Sequence, residues 1–195
     1  MLTLYHAPRS RSSRIIWLLE EIGAPYEIAK MDIPRRDGSG ASDPRNPHPD
    51  KKVPALVHDG VLVTESAAIC LYLADAFPEA RVGPRIGEPL RASFLTWLAY
   101  YAGVIEPVVT AKASGATEKD PAQAAAYAAV AERLRLAFER GPFVLGDVFS
   151  AADVLVTSVF QWARELMPAG PVFDAYVTRM SERPALQRAF RKDDA

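Results

Sequence analysis

Two short stretches of this chain hold side chains that could grip a small anionic molecule. The first is Lys51-Lys52-Val53-Pro54-Ala55-Leu56-Val57, and the second is Leu62-Val63-Thr64-Glu65-Ser66-Ala67-Ala68-Ile69. Lys51 and Lys52 offer positive charge to a carboxylate, Glu65 can receive an ammonium group, and Ser66 adds a hydroxyl donor. Thr64-Glu65-Ser66 opens an apolar run of helical length. A helix start presents unpaired N–H groups and the positive end of the peptide dipole to an anion. Pro54 cannot donate to a sheet, so it belongs at the first residue or the edge of a strand. A cis bond before it turns the Val53 backbone outward, with its N–H and C=O free to pair with a short extended peptide. These groups together suit a peptide-like ligand with two carboxylates and one ammonium. A plainer alternative stands beside that one: Thr64 and Ser66 cap a helix and the lysines are solvated.

The elements that must position these residues follow from local signals. Asp59-Gly60 between two apolar runs is a hairpin turn. The lysine–proline segment therefore enters one strand, returns along a second, and passes into a helix reaching about Phe77. Ahead of it, residues 2–6 read as a strand and 7–14 as a polar loop turning into a helix. That helix carries Ile15, Ile16, Leu18, Leu19 and Ile22 and stops at Gly23. Residues 26–33 form the next strand. Strand, helix and strand over about thirty residues make a βαβ unit with parallel strands. Residues 34–51, rich in Pro, Gly, Asp and Arg, read as a mobile loop with room for a helical turn. The expectation for residues 1–78 is a four-stranded mixed sheet with helices.

The pattern changes after residue 78. Residues 79–84 look like a linker, with Gly83-Pro84 as breakers. Strand signals vanish from Gly87 onward, so residues 86–195 form an all-helical domain. A helix over 89–112 is bent at Pro107. A polar break over 114–120 precedes a second helix over 121–140, and Gly141-Pro142 stops it. The sharpest local signal in this half is Phe149-Ser150-Ala151-Ala152-Asp153-Val154. Ser150 is an N-cap, Asp153 closes the capping box, and Phe149 with Val154 makes the hydrophobic staple. The role of Asp153 is structural. Two short helices follow, the second starting at Pro184.

Composition bounds the chemistry. An apolar fraction of 49% over 195 residues is ample for a core, and a formal net charge of −1 gives no field favouring nucleic acid or membrane. The single cysteine excludes an intrachain disulfide, a Cys-x-x-Cys redox pair and a cysteine zinc knuckle. His6, His48 and His58 stand at no metal-ligand spacing, so no metal is expected. No apolar run reads as a membrane span and the N-terminus has no signal pattern, which makes a soluble, cytoplasmic protein the expectation.

Four segments in order carry a resemblance. They are Ser10-Arg11-Ser12-Ser13-Arg14-Ile15-Ile16-Trp17-Leu18-Leu19-Glu20-Glu21, then Val53-Pro54-Ala55-Leu56, then Glu65-Ser66-Ala67-Ala68-Ile69, then Phe149-Ser150-Ala151-Ala152-Asp153. Over essentially its whole length the chain resembles the cytosolic glutathione S-transferases, most of all bacterial members and fungal ones of the kind found in yeast. The resemblance implies an α/β thioredoxin-like N-terminal domain followed by an all-α helical C-terminal domain, glutathione as co-substrate, and a homodimer. It implies that Val53 clamps the cysteinyl part beside a cis Pro54, that Glu65 and Ser66 hold the γ-glutamyl end, and that Lys52 meets the glycyl carboxylate. In the family, the residue facing the sulfur sits in the loop after strand one. It is a hydroxyl in the serine classes and a cysteine in bacterial beta-type members. This loop offers Ser10, Ser12 and Ser13 and no cysteine. Ser10, four residues before Arg14, matches the spacing in theta-like and delta-like members, and Ser12 is the alternative. Arg9 stands where many relatives carry glycine, and Asp50-Lys51 where Gly-Lys is common.

The implied mechanism turns on the thiol. A free thiol has a pKa of about 8.5, so it is mostly protonated at neutral pH. A serine hydroxyl donor, the N-terminus of the first helix and nearby arginines favour the thiolate, with the serine donating and not acting as a base. The thiolate attacks an electrophilic carbon held against the helical domain, where Phe94, Trp97, Tyr100 and Tyr101 are candidates for the wall. The same residues also suit ordinary core packing. Two other readings share the fold: a glutathione-dependent peroxidase, dehalogenase or reductase, and a non-catalytic glutathione-binding or assembly module. A mixed disulfide with the protein is disfavoured, because Cys70 lies inside an apolar helix.

Overall fold

The computed structural model describes residues 1–35 and 37–193. Its first unit is β1 (Leu2–His6), α1 (Ser13–Ile22), β2 (Tyr26–Lys30), β3 (Ala55–His58), β4 (Val61–Thr64) and α2 (Ser66–Ala76). The four strands lie in the order β2-β1-β3-β4, with β1 and β2 parallel and the other two pairings antiparallel. This is the thioredoxin-like sheet. Leu2, Leu4 and His6 are buried, while Thr3 and Tyr5 between them are only half-buried. Helix α1 buries Ile15, Ile16, Trp17, Leu18 and Leu19, since it lies between the sheet and helices of the second unit. Gly23 takes the left-handed conformation at φ 75° and returns its N–H to Leu19, which ends the helix.

Strand β2 stops at Lys30, three residues short of the sequence expectation. Its partner β1 ends at His6, opposite Lys30, so there is no ladder left to extend. Residues 34–51 contain no helix or strand among those described, yet side chains organise their second half. Asn46 Nδ2 donates to the Lys52 carbonyl at 2.9 Å, and Lys51 Nζ donates to the Asn46 carbonyl at 2.8 Å. The His48 backbone N–H donates to Asn46 Oδ1 at 3.0 Å, and both side chains are buried.

The second unit is helical: α3 (Arg91–Tyr100), α4 (Glu106–Ala113), α5 (Ala116–Lys119), α6 (Pro121–Arg140), α7 (Ala151–Trp162), α8 (Pro171–Ser181) and α9 (Pro184–Asp193). One turn of π-helix, Tyr101–Ile105, joins α3 to α4 immediately before Pro107. Proline has no N–H for the bond back to residue 103, and a π-turn absorbs the missing bond without breaking the rod. The composite rod Arg91–Ala113 is long and apolar enough to cross a membrane by length and composition. Here Phe94, Leu98, Tyr101, Ile105 and Val109 pack into the helical core.

The capping box at the start of α7 is present in full. Asp153 accepts from the Ser150 N–H at 2.9 Å and from the Val144 N–H at 2.8 Å, with Tyr176 Oη at 3.2 Å. Asp153 is wholly buried, and burial pushes its carboxyl up to about 6 against the pull of those donors. The two units meet along α1. Helix α9 lies against it, with Arg183 forked onto Glu21 at 2.6 and 2.9 Å and Arg188 on Glu20 at 2.7 Å.

Candidate functional site

The sheet register gathers the candidate residues at one end. Tyr5 stands opposite Ala55, and Ala55 opposite Thr64. At that end β1 runs out into the serine loop, β3 begins two residues after Val53, and β4 passes through Glu65 into α2 at Ser66. Both α1 and α2 begin at this end and direct their N–H groups over it. The Val53–Pro54 bond is cis, with Pro54 buried and Val53 half-buried. Lys52 is exposed, 3.5 Å from Asp50 Oδ2.

Glu65 is the N-cap of α2 and holds φ 65° and ψ 122°, a backbone conformation that side-chain-bearing residues avoid. Such a conformation costs about 1–3 kcal/mol and concentrates at ligand clamps. The side chains of Glu65 and Ser66 make no hydrogen bond among the described residues, and Ser66 is the first helical residue and not the cap. Capping therefore does not account for either of them.

The serine loop sorts its hydroxyls clearly. Helix α1 starts at Ser13, and Ser12 at the N-cap makes no side-chain cap. Ser12 is fully buried, and its hydroxyl turns back toward β1, 2.8 Å from His6 Nδ1. The Ala7 N–H also donates to it, at 3.2 Å. Ser10 Oγ lies 2.7 Å from Ser12 Oγ and donates to the Ala7 carbonyl, also at 2.7 Å. His6 Nε2 lies 3.0 Å from the Asp193 carbonyl on α9, an oxygen that can only accept. So Nε2 carries the ring hydrogen and Nδ1 accepts from Ser12. Burial holds the His6 ring below its ordinary pKa, against the pull of Asp193.

Ser10 and Ser13 face a cavity of about 420 Å³ between α1, α7 and α9; Ser12 does not. Trp17, Trp162, Leu186 and Phe190 form its apolar wall, and Arg9, Arg14, Gln161 and Asp193 its polar rim. Its size is that of a small-molecule site. Trp162 and Phe190 are 45% and 52% exposed, too open for core residues. Neither stood out in the sequence; an aromatic left exposed at the end of a helix is the only signal they carry.

Tyr100 and Tyr101 do not line this cavity. Tyr101 is buried in the helical core with its hydroxyl on Arg14, and Tyr100 sits beneath the Arg133 guanidinium, 3.8 Å from its ring centre. Phe94 and Trp97 are core residues as well. All four precede or begin the π-turn, and they pack into or against the helical core. Sequence reasoning also missed Glu106. It is bonded to Arg11 and lies 3.4 Å from Arg14, so it anchors both arginines next to Ser10. Although burial opposes it, Arg14 and Arg11 hold the Glu106 carboxyl below its ordinary value. Cys70 is fully buried in α2, and burial pushes its thiol up to about 12. It is not a nucleophile at neutral pH. No cluster of metal-binding side chains occurs among the described residues.

Comparison with known proteins bears on this arrangement. Residues 1–75 match the family model for the glutathione S-transferase N-terminal domain, and residues 90–184 match that for its C-terminal domain. The glutathione S-transferase GstA of Escherichia coli O157:H7 is 26% identical over 192 residues, covering 95% of this chain and 96% of that protein. The crystal structure of a glutathione transferase from Methylococcus capsulatus superposes with a TM-score of 0.81 at 30% identity, covering 100% of this chain and 99% of that one. A sphingomonad glutathione S-transferase solved in complex with glutathione gives a TM-score of 0.77 at 26% identity, with 98% of each chain covered. Two family models in tandem and full-length likeness in both sequence and fold lead to one conclusion: the chain belongs to the glutathione S-transferase family.

Proposed function

We propose that this transferase joins glutathione to small hydrophobic electrophiles, with the sulfur at Ser10. One observation carries the reading. Ser10 lines the apolar cavity walled by Trp17, Trp162 and Phe190, and its loop leaves the same end of the sheet at which β3 begins after Val53 and β4 runs into Glu65 and Ser66. A peptide laid against Val53, with its ammonium and carboxylate at Glu65 and Ser66 and its far carboxylate toward Lys52, sets its central thiol beside the loop after β1. The electrophile then occupies the cavity. Arg11, Arg14 and the start of α1 supply positive potential where the thiolate forms. The glutathione bound in the sphingomonad relative supports the choice of ligand.

The test is a panel of electrophiles and peroxides assayed with glutathione, using Ser10→Ala as control. A hydrogen bond to an anion is worth about 1.5–3 kcal/mol, so conjugation by Ser10→Ala should fall roughly ten- to a hundred-fold while glutathione affinity changes little. Turnover of peroxides alone would move the protein to the peroxidase reading. Binding without turnover of any kind would make it a non-catalytic module. The same proposal makes it a cytoplasmic homodimer with a detoxifying role. Val61 and Leu62 on β4 and Leu95 on α3 are exposed apolar side chains suited to a second copy. Sedimentation as a 21.3 kDa monomer at micromolar concentration would contradict that part.

A further inference from the structure

We propose that the thiol proton of bound glutathione is taken up by His6, passed inward through Ser10 and Ser12. This rests on the reading that the sulfur lies at Ser10. Three protein atoms form the path: Ser10 Oγ, then Ser12 Oγ at 2.7 Å, then His6 Nδ1 at 2.8 Å.

Counting hydrogens fixes its direction. His6 Nε2–H is spent on the Asp193 carbonyl, so the Ser12 hydroxyl hydrogen goes to the bare Nδ1 at 2.8 Å, nearer than its other acceptor, the Ala7 carbonyl at 3.3 Å. Ser12 Oγ in turn accepts from the Ala7 N–H. The single Ser10 hydrogen has two acceptors, the Ala7 carbonyl and Ser12 Oγ, and both lie inside the protein. Ser10 Oγ also accepts from the Ser12 N–H at 3.2 Å, so what it offers the cavity is its remaining lone pair. A lone pair can accept from S–H but cannot stabilise S⁻. The expectation that Ser10 simply donates needs a hydrogen that this network has already used.

One concerted shift resolves the conflict. The S–H bond breaks and its proton bonds to Ser10 Oγ, the Ser10 proton moves to Ser12 Oγ, and the Ser12 proton moves to His6 Nδ1. The products are a thiolate and an imidazolium. Both hydroxyls stay intact, the charge balances, and no proton leaves the protein. Ser10 now carries its hydrogen on the sulfur side and donates to the thiolate. Nδ1–H of the imidazolium donates to Ser12, while Nε2–H stays on Asp193.

The surroundings of His6 are arranged for a charge that comes and goes. Asp193 Oδ1 lies 3.5 Å from Nε2, is buried, and has no hydrogen-bond partner among the described residues. Asp193 Oδ2 accepts from the Arg9 N–H at 2.9 Å, which fixes the carboxylate beside the ring. Against this stand burial of the ring, Lys30 on β2 and Arg35 in the loop that follows. The ring is accordingly neutral on its own. It takes a proton only when a thiolate forms at the outer end of the path. His6 and Ser12 act through Ser10 and touch no substrate.

The experiment is ¹⁵N NMR of the histidine-labelled wild-type protein near neutral pH, titrated with glutathione while ultraviolet thiolate absorbance is followed. The expected result is that His6 passes from the neutral Nε2–H tautomer to the doubly protonated ring in step with the thiolate signal, and His48 and His58 do not. Ser12→Ala keeps Ser10 and His6 but cuts the path. In that variant His6 should stay neutral on saturation, and the bound thiol pKa should rise by about one unit, a ten-fold loss of thiolate at neutral pH. A wild-type complex in which the thiolate forms while His6 remains neutral would overturn the relay and leave the proposed function intact. A ring already doubly protonated before glutathione is added would overturn it too. Absence of glutathione binding would overturn the function, and the relay with it. The wild-type arm decides the matter even if the variant folds poorly.

Discussion

Replacing Asp153 by alanine should unfold the helical unit far more readily while leaving the reactive loop chemically unchanged. The carboxylate accepts from two buried backbone donors, Val144 N–H at 2.8 Å and Ser150 N–H at 2.9 Å. Neither has an obvious substitute once the side chain is gone. An unpaired buried donor costs about 1–3 kcal/mol, so two cost about 4 kcal/mol together. Tyr176 Oη loses less, because the backbone carbonyl of residue 153 stays 3.4 Å away to accept from it. For a chain of this size each kcal/mol moves Tm by about 2–4 °C, which gives a drop of roughly 8–16 °C by calorimetry. The pH dependence has a definite sign. Burial raises the Asp153 carboxyl to about 6 in the folded state from 3.8. A raised folded pKa contributes stability that is complete below the unfolded value and is lost as pH rises through the folded one. The gap between wild type and Asp153→Ala should therefore narrow from pH 4 to pH 7. A loss below about 1 kcal/mol at pH 5, or a gap that widens over that interval, would refute the reasoning.

Other expected outcomes concern the site and the joint between the units. Glu65→Gly removes a side chain from a left-handed backbone at φ 65°, so it should stabilise the fold by up to about 1 kcal/mol. It should also raise KM for glutathione about ten-fold or more, measured by steady-state kinetics. Phe190→Ala removes a half-exposed cavity wall and should change stability by less than about 1 kcal/mol in urea titration. KM for an aromatic electrophile should rise several-fold, and KM for glutathione should stay put. Lys192, Tyr26 and Arg188 hold Glu20 near a pKa of about 2, although its burial pushes the other way. A depressed folded pKa contributes stability above the unfolded value of 4.5 that is lost as pH falls through about 2. The stability difference between wild type and Glu20→Gln should shrink across that acid interval and hold steady above it.

The features legible in the sequence are those decided by near neighbours. The β1–α1–β2 unit follows from apolar period and from Gly23, the hairpin from Asp59-Gly60, and the start of α7 from six consecutive residues. Val53, Glu65 and Ser66 could be singled out because a proline at a strand entrance and a helix start are both local signals. The rest depends on how remote elements dock. The cavity wall needs α9 laid on α1, which no periodicity reveals, so Trp162 and Phe190 went unnoticed while the aromatic run of α3 drew attention instead. The choice between Ser10 and Ser12 hung on where α1 begins, and a start at Ser13 turns Ser12 inward. The pairings of Glu106 with Arg11 and Arg14, and of Asp193 with His6, join residues 92 to 187 positions apart.

That last pairing carries a consequence for how the protein is made. His6 and Asp193 are 187 positions apart, and Arg9 and Asp193 are 184 apart. On the ribosome the sheet, α1 and α2 emerge early and can collapse as a unit while most of the helical unit is still untranslated. During that interval the face of α1 destined for α9 is bare, the His6 ring has no carbonyl to fix its tautomer, and the cavity lacks a wall. A nascent chain can hold the closed sheet long before it holds the cavity. Arrival of α9, not closure of the sheet, completes the surroundings of His6 and the wall of the cavity.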